Sequence, residues 1–121
     1  MKQKVKNVLA WGLSVLVSLN FLMSGYPKVM PNAGMVRRFE NWGFNEGFAI
    51  LIGVLEILGG LLMLVPKTAF YGAVILSVVM IGAIGTHLIT GIGGPVFAIL
   101  SLLAAAGAGW LRFENRIRWT K

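Results

Sequence analysis

The sequence predicts an all-α membrane protein: a bundle of four transmembrane helices, with an amphipathic interfacial helix between spans one and two. The first observation behind this prediction is composition. Of the 121 residues, 57% are hydrophobic and only 12% are charged, whereas soluble domains carry about 25% charged residues. The second observation is that the apolar residues fall into four long segments, and the third is that basic residues flank them. A single domain, residues 1–121, accounts for this length.

The first predicted span, residues 8–25, is uncharged and follows Lys2, Lys4 and Lys6. It is long for the apolar core of a signal peptide, and no small-residue cleavage site follows it, so we expect it to remain as a helix. The second span, residues 47–65, contains 19 residues. At ~1.5 Å per residue, this length just crosses the ~30 Å hydrocarbon core of a bilayer. Pro66 is expected to end it.

The third and fourth predicted spans cover residues 69–89 and 95–111. Pro95 suits the first position of a helix, and Gly91, Gly93 and Gly94 predict a short turn before it. All four spans are expected to be helical, because lipid cannot hydrogen-bond an open backbone.

The loop between the first two spans carries an amphipathic pattern over residues 35–42. Asn32 is a plausible N-cap for this segment, and Gly43 a plausible stop. We expect about three turns of helix on the outer interface. Two interpretations remain open, a surface cover over the bundle and a lid over a pocket. The apolar residues that recur at helical spacing are Met35, Val36, Phe39 and Trp42.

Basic residues are distributed unevenly across the predicted bundle. Four spans place both chain ends and the turn after Pro66 on one side, with eight of the eleven Lys and Arg residues, and leave three on the other. The positive-inside rule then predicts an inner-membrane protein with cytoplasmic termini. Because no basic stripe or nucleic-acid motif is present, we expect the lipid bilayer, and not nucleic acid, as a partner. The eight residues are Lys2, Lys4, Lys6, Lys67, Arg112, Arg116, Arg118 and Lys121.

Glu56 is the only charged residue in the second span. A carboxylate at bilayer depth is costly, so it predicts a functional site. Gly53, Gly59 and Gly60 share its helix face and would let a helix or ligand approach closely. Two interpretations stay open, a protonated carboxyl that bonds Asn20 or a backbone carbonyl between helices, and a binding or proton-transfer group. Because its span holds no other charge, we expect burial to keep Glu56 largely neutral at pH 7.

Four further residues complete the predicted ligand-binding or proton-linked site: Asn20, Lys28, Thr86 and His87. From helix rise, Asn20 lies ~5 Å and His87 ~12 Å outward of the span centres, whereas Glu56 is central. We therefore expect a cavity that opens outward, with Lys28 near its mouth, where it would oppose protonation of Glu56 if it reaches in. His87 and Glu56 are expected to need a water or ligand to bridge them.

Other small residues predict helix packing. Gly82 and Gly85 on the third span are expected to pack around the site, and Ser101, Ala105 and Gly109 form an i+4 stripe on the fourth.

Several kinds of chemistry are excluded or disfavoured by the residues. The chain has no cysteine, which removes thiol catalysis and iron–sulfur ligation. One His and one Glu are too few ligands for a metal site. There is no P-loop, dinucleotide fingerprint or Ser/His/Asp arrangement. We therefore expect no catalytic residue in this chain, and an enzymatic role would require a partner subunit.

Three motifs, in order and spacing, resemble the DoxX family, most closely its DoxX-like branch. Residues 25–29 are similar to a G-x-x-K pattern after span one, and residues 52–61 to a G-x-x-E-x-x-G core on span two. Residues 80–88 resemble the third span, rich in small residues and ending near a His. Pro95, which opens an aliphatic last span, also fits. The resemblance covers nearly the whole chain.

The resemblance implies a four-helix membrane bundle that works with other proteins. Family members include small subunits of quinone-reducing sulfur-oxidation enzymes and components of membrane complexes linked to oxidative stress. We therefore expect an accessory or binding subunit with quinone as its candidate cofactor, and with a membrane or redox subunit, or a second copy of the chain, as its partner. Two alternatives stay open. One is a proton-coupled small-solute transporter that uses Glu56, and the other is a membrane-protein assembly chaperone, like eukaryotic relatives that assemble receptors.

Overall fold

The computed structural model describes residues 2–30, 33–44, 46–91 and 95–113, with the backbone alone at 33, 35, 36 and 46. These residues form helices and connecting turns, with no strand in the described ranges. The helices are α1 Gln3–Val29, α2 Ala33–Asn41, α3 Glu46–Met63, α4 Pro66–Thr90 and α5 Val96–Arg112.

The four long helices pack side by side in a ring, in which α1 and α4 each contact both α3 and α5. Neighbours in the ring are antiparallel. On the α1–α3 contact, for example, Gly25 meets Gly53, whereas Ser18, seven residues earlier, meets Gly60. The short helix α2 packs against α3 at the end of the ring where α1 finishes. The ring therefore has an α2 end and an opposite end, where α1 begins and α5 finishes.

Helix α1 is longer than the sequence predicted. The prediction ended it at Gly25, but the helix continues through Pro27 to Val29, and the N–H of Met30 donates to the carbonyl of Tyr26 at 2.9 Å. Proline lacks an N–H and disfavours a helix interior. Here it stands in the last turn, where little helix follows to be disrupted. The extension places Lys28 on α1 instead of in a loop.

Glycines with a positive φ mark two helix ends, at positions where the sequence predicted a helix stop or a turn. Gly43 follows α2 with φ +90°, and Gly91 ends α4 with φ +68°, a region that favours glycine. Pro66 is the first residue of α4, so it begins the third long helix as well as closing the second. The predicted helix over residues 35–42 corresponds to α2, which begins at Ala33 and ends at Asn41, so that Trp42 lies in the turn after it. Asn32, Gly93 and Gly94 lie outside the described residues.

Glycines set the close approach of α3 to its neighbours. A Cβ on Gly53 would lie 2.8 Å from the carbonyl oxygen of Gly25, and one on Gly59 would lie 2.6 Å from the side chain of Leu76. A Cβ on Gly60 would lie 3.2 Å from the Ser18 carbonyl oxygen. All three glycines therefore lie at close contacts between α3 and its neighbours.

The packing predicted for Gly82 and Gly85 is wrong. A Cβ added to either would meet no described atom within 4 Å. Both lie toward the α2 end of α4, where the helices enclose a cavity, which Gly82 lines. Nearer the opposite end, α4 does approach its neighbours closely. A Cβ on Gly109 of α5 would lie 2.6 Å from that of Ala73, so this member of the predicted stripe lies at a close contact between α5 and α4.

The ring has an apolar exterior. Helices α1 and α4 are long and apolar enough to cross a membrane, whereas α3 and α5 are apolar but shorter. At the end opposite α2, Arg112 is buried, with its guanidinium 4.7 Å from the ring of Trp11, a cation–π arrangement between α5 and α1. This contact links α5 to α1 at the opposite end, whereas the cavity lined by residues of all five helices lies at the α2 end.

A cavity at the α2 end of the ring

The four long helices and α2 enclose a cavity of about 720 Å³. All five residues predicted to form the ligand or proton site line it, and they come from three helices. They are Asn20 and Lys28 on α1, Glu56 on α3, and Thr86 and His87 on α4. Whether they bind a ligand stays a prediction, but the chain does bring them to one space.

Glu56 lies at the wall of this cavity and is 0% exposed to solvent. One carboxylate oxygen, Oε1, forms an ion pair with Nζ of Lys28. The other, Oε2, accepts a hydrogen bond of 2.8 Å from the hydroxyl of Ser24. That hydroxyl in turn accepts one of 3.0 Å from Lys28 Nζ. The three side chains form a closed network that joins α1 to α3 and satisfies both oxygens of the buried carboxylate.

The sequence places this network through two short spacings. Lys28 follows Gly25 by three residues, and Glu56 follows Gly53 by three, so each charge lies one helical turn beyond a glycine. The two glycines are at the contact between α1 and α3. Because neither has a side chain, the helix axes come close enough there for a lysine to reach a carboxylate across the contact.

Two expectations about Glu56 change with this geometry. Glu56 was expected to be largely neutral at pH 7 unless Lys28 reached it, and the ammonium of Lys28 does contact the carboxylate. Asn20 was the expected partner across helices, but its Nδ2 donates to the hydroxyl of Ser101 on α5 at 3.3 Å. The extension of α1 past Pro27 is the physical reason for the first change. For the second, Ser24 lies one turn nearer to Glu56 along α1 than Asn20 does.

Aromatic side chains from α2, the turn after it and the start of α3 surround the mouth of the cavity. Phe39 is 4% exposed and has its ring centroid 5.3 Å from that of Trp42. Phe44 and Phe48 stack with centroids 4.3 Å apart. The ring of Trp42 meets His87 of α4 edge-on at 5.2 Å. This mouth cluster, Phe39, Trp42, Phe44 and Phe48, therefore links α2 to both α3 and α4.

The polar residues that line the cavity form two groups. The first consists of Glu56, Ser24 and Lys28 with the hydrogen-bonded pair of Asn20 on α1 and Ser101 on α5. The second consists of Thr86 and His87, near the end of α4. The hydroxyl of Thr86 donates to the carbonyl of Gly82 at 2.9 Å, within its own helix. Among the described residues, no three His, Cys, Asp or Glu side chains form a group that could hold a metal ion.

Sequence reasoning missed three polar residues that line the cavity: Ser24, Arg38 and Ser101, the last of which was predicted only as part of a packing stripe. Ser24 precedes Lys28 by four residues, so an unbroken helix would have put both on one face. The predicted helix end at Gly25 concealed this relationship. Arg38 belongs to α2 but is not one of the apolar residues that the periodicity singled out, and its place at the mouth depends on how α2 docks.

A sequence model of the DoxX-like family matches residues 12–109. The chain belongs to the DoxX-like family. No curated protein and no solved structure matches this DoxX-like protein. The matched range includes both glycine–charge spacings, at residues 25–28 and 53–56. In this DoxX-like protein, the two patterns meet in one ion pair, and membership of a membrane-associated family agrees with the apolar helices α1 and α4.

Proposed function

We propose that this DoxX-like protein crosses the membrane four times and binds a small amphipathic ligand in the cavity beside Glu56. In this role it is an accessory or binding subunit of a membrane complex, with quinone as a candidate ligand. Its termini are cytoplasmic in the inner membrane, and the α2 end with its cavity faces outward, as the distribution of basic residues favours.

The exposed faces of the two shorter helices support four spans. On α3, large apolar residues are exposed at spacings that follow one face: Leu51, Val54, Leu58 and Leu61. On α5 the same is true of Val96, Leu100, Leu103 and Trp110. An apolar stripe on the outside of a packed ring is unfavourable in water and is expected where lipid surrounds the protein.

The observation that carries the proposed function is a buried ion pair at the wall of a cavity that is otherwise mostly apolar. Ligand pockets commonly measure about 300–1,000 Å³ and combine apolar walls with a few placed polar groups. The cavity falls in this range at about 720 Å³. Its apolar wall includes Phe39, Phe48 and Ile52, and its polar groups converge around Glu56. Ion pairs at this depth are costly unless well partnered, so the position of the pair beside a cavity favours a binding role.

The network favours holding a ligand over chemical turnover. Lys28, Glu56 and Ser24 satisfy one another, an arrangement that fixes side-chain positions. We therefore place any electron transfer in a partner subunit, with this chain supplying the binding site.

Native mass spectrometry of the protein purified in mild detergent tests the proposed function. We expect the unmodified protein to carry a small molecule that is lost in Glu56→Gln, because glutamine cannot hold the ammonium of Lys28 in an ion pair and the side chains of the cavity wall lose their fixed positions. Glu40→Gln is the matched control, since Glu40 is exposed on α2 and is absent from the cavity lining. Quinone absorbance in the extract would identify that ligand. A folded Glu56→Gln protein that retains its ligand would favour a purely structural role.

The proton-coupled transporter remains a second candidate, because Glu56 is a protonatable group that lines the cavity. Proton-driven solute uptake in liposomes, abolished in Glu56→Gln, would favour it. A stable membrane-protein partner in the mass spectra, without a small molecule, would favour the assembly chaperone.

A further inference from the structure

We infer that the ligand is an anionic amphipath whose acidic head lies at Arg38 and whose apolar body enters the cavity past the mouth cluster toward Glu56. The acidic head is a carboxylate or a phosphate. This inference rests on the proposed function, because it names the class of ligand that the same cavity binds.

The charges that line the cavity leave one cation uncompensated. The described lining residues with a formal charge at pH 7 are Lys28, Arg38 and Glu56. Lys28 and Glu56 neutralise each other, which leaves the guanidinium of Arg38. Within the described ranges, Arg38 has no ion pair. A guanidinium offers a fork of N–H donors that matches carboxylate and phosphate oxygens.

The one acidic residue close to Arg38 on α2 is placed on a different face. Glu40 follows by two residues, a spacing at which side chains on a helix do not meet, and it does not line the cavity. The positive charge at the mouth is therefore available to a ligand that arrives from solution or along the membrane interface.

A cationic ligand fits the cavity poorly. Its natural counterion would be the carboxylate of Glu56, but both oxygens of that group are already engaged, one by Lys28 and the other by Ser24. To bind there, the ligand would have to displace Lys28 and leave a second ammonium in the same space, and a partnerless buried charge is strongly unfavourable. It would also pass Arg38 at the mouth.

The order of the lining groups fits an amphipath with its head outward. Arg38 is exposed, so an acidic head bound to it keeps contact with water. The next groups inward are the aromatic rings of Phe39, Trp42 and Phe48, which suit an apolar body. Farther in, the amide of Asn20 and the hydroxyl of Ser101 lie in hydrogen-bond contact and could meet a polar atom near the inner end of the body.

The test uses the full chain in phosphatidylcholine nanodiscs and isothermal titration, with empty nanodiscs subtracted. The probes differ only in their head group, which is a carboxylate, an alcohol or a primary ammonium. Each head group is tested on a naphthyl body and, in a second compound, on a decyl body. We expect the carboxylates to bind most tightly. Arg38→Gln should weaken carboxylate binding by about fivefold, the effect of an exposed ion pair worth ~1 kcal/mol, and leave the alcohols unchanged. Arg37→Gln is the matched control, because Arg37 is an exposed neighbour that does not line the cavity.

The outcomes separate this inference from the proposed function. Tightest binding by the alcohol or the ammonium, or equal losses in Arg38→Gln and Arg37→Gln, would overturn the anionic class but keep the cavity as a binding site. No binding by any probe would overturn both. If the carboxylates bind, adding phosphatidylglycerol to the nanodiscs identifies the source of the ligand. Competition by this anionic lipid would indicate a membrane lipid, and carboxylate binding that the lipid does not reduce would indicate a ligand from solution.

Discussion

Gly25 of α1 and Gly53 of α3 pack against each other reciprocally: a Cβ on either would lie 2.8 Å from the carbonyl oxygen of the other. Three residues beyond each glycine stands one member of the ion pair, Lys28 or Glu56. The backbone contact between the two glycines and the ion pair between Lys28 and Glu56 therefore form one structural unit. Its two halves lie far apart in sequence, and both are needed to build the wall of the cavity.

The first prediction concerns this backbone contact. Gly53→Ala should lower the free energy of unfolding by about 1–3 kcal/mol, because the new methyl group would force α1 and α3 apart. Gly12→Ala is the control, since a Cβ there meets no described atom within 4 Å and alanine favours a helix by ~0.5–1 kcal/mol. Thermal unfolding in detergent measures both. If Gly53→Ala were as stable as Gly12→Ala, the reciprocal contact would be incorrect.

The second prediction concerns the ion pair. Lys28→Met should destabilise the protein by about 3–5 kcal/mol, because it leaves the buried carboxylate of Glu56 without its positively charged partner. Glu56→Gln should cost less, since the side chain of Lys28 is 15% exposed and can extend its ammonium toward water.

A double-mutant cycle with denaturant or steric-trap unfolding separates the pair from other effects. The double variant, Lys28→Met with Glu56→Gln, should be more stable than the sum of the two single losses predicts. Ser24→Ala provides a third measurement. We expect it to lower the free energy of unfolding less than Lys28→Met does, because it removes a neutral hydroxyl group. Losses that add within ~0.5 kcal/mol would show that the two residues do not interact.

The third prediction distinguishes a lid from a surface cover. Trp42→Ala removes the ring that contacts both Phe39 and His87, so we expect roughly tenfold weaker binding of the carboxylate probes, as for an aromatic residue that anchors a ligand. Trp110→Ala is the control, because Trp110 is 72% exposed near the opposite end of the ring. Unchanged affinity together with a lower unfolding temperature would indicate that α2 only covers the bundle.

The fourth prediction concerns topology. Reporter fusions placed after Lys121 and after Pro66 should both report the cytoplasm, and a fusion near Asn32 the outer side, because the proposed four spans would put eight of the eleven basic residues on the side of the termini. Alkaline phosphatase and green fluorescent protein fusions at the same positions provide opposite signals. An outward reporter after Lys121 would contradict the four-span arrangement.

Much of the architecture followed from the sequence by itself. The four apolar segments predicted the long helices, since their lengths and boundary residues are local properties. Gly43 and Gly91 marked helix ends because the left-handed backbone region favours glycine. Glu56 stood out because a lone charge in an apolar run is costly. Its helix face was also predictable, because residues three and four apart are neighbours.

The tertiary structure decided which groups meet. Helical periodicity specifies a face but not the helix opposite it, so the sequence could not choose between Asn20 and Ser24 as neighbours of Glu56, nor show that Gly82 borders open space. The continuation of α1 through Pro27 depends on packing against α3, which stabilises a helical turn that the proline alone disfavours. That turn brings Lys28 to Glu56, and the docking of α2 brings Arg38 to the mouth. Both positions depend on contacts between residues distant in sequence, which no local pattern records.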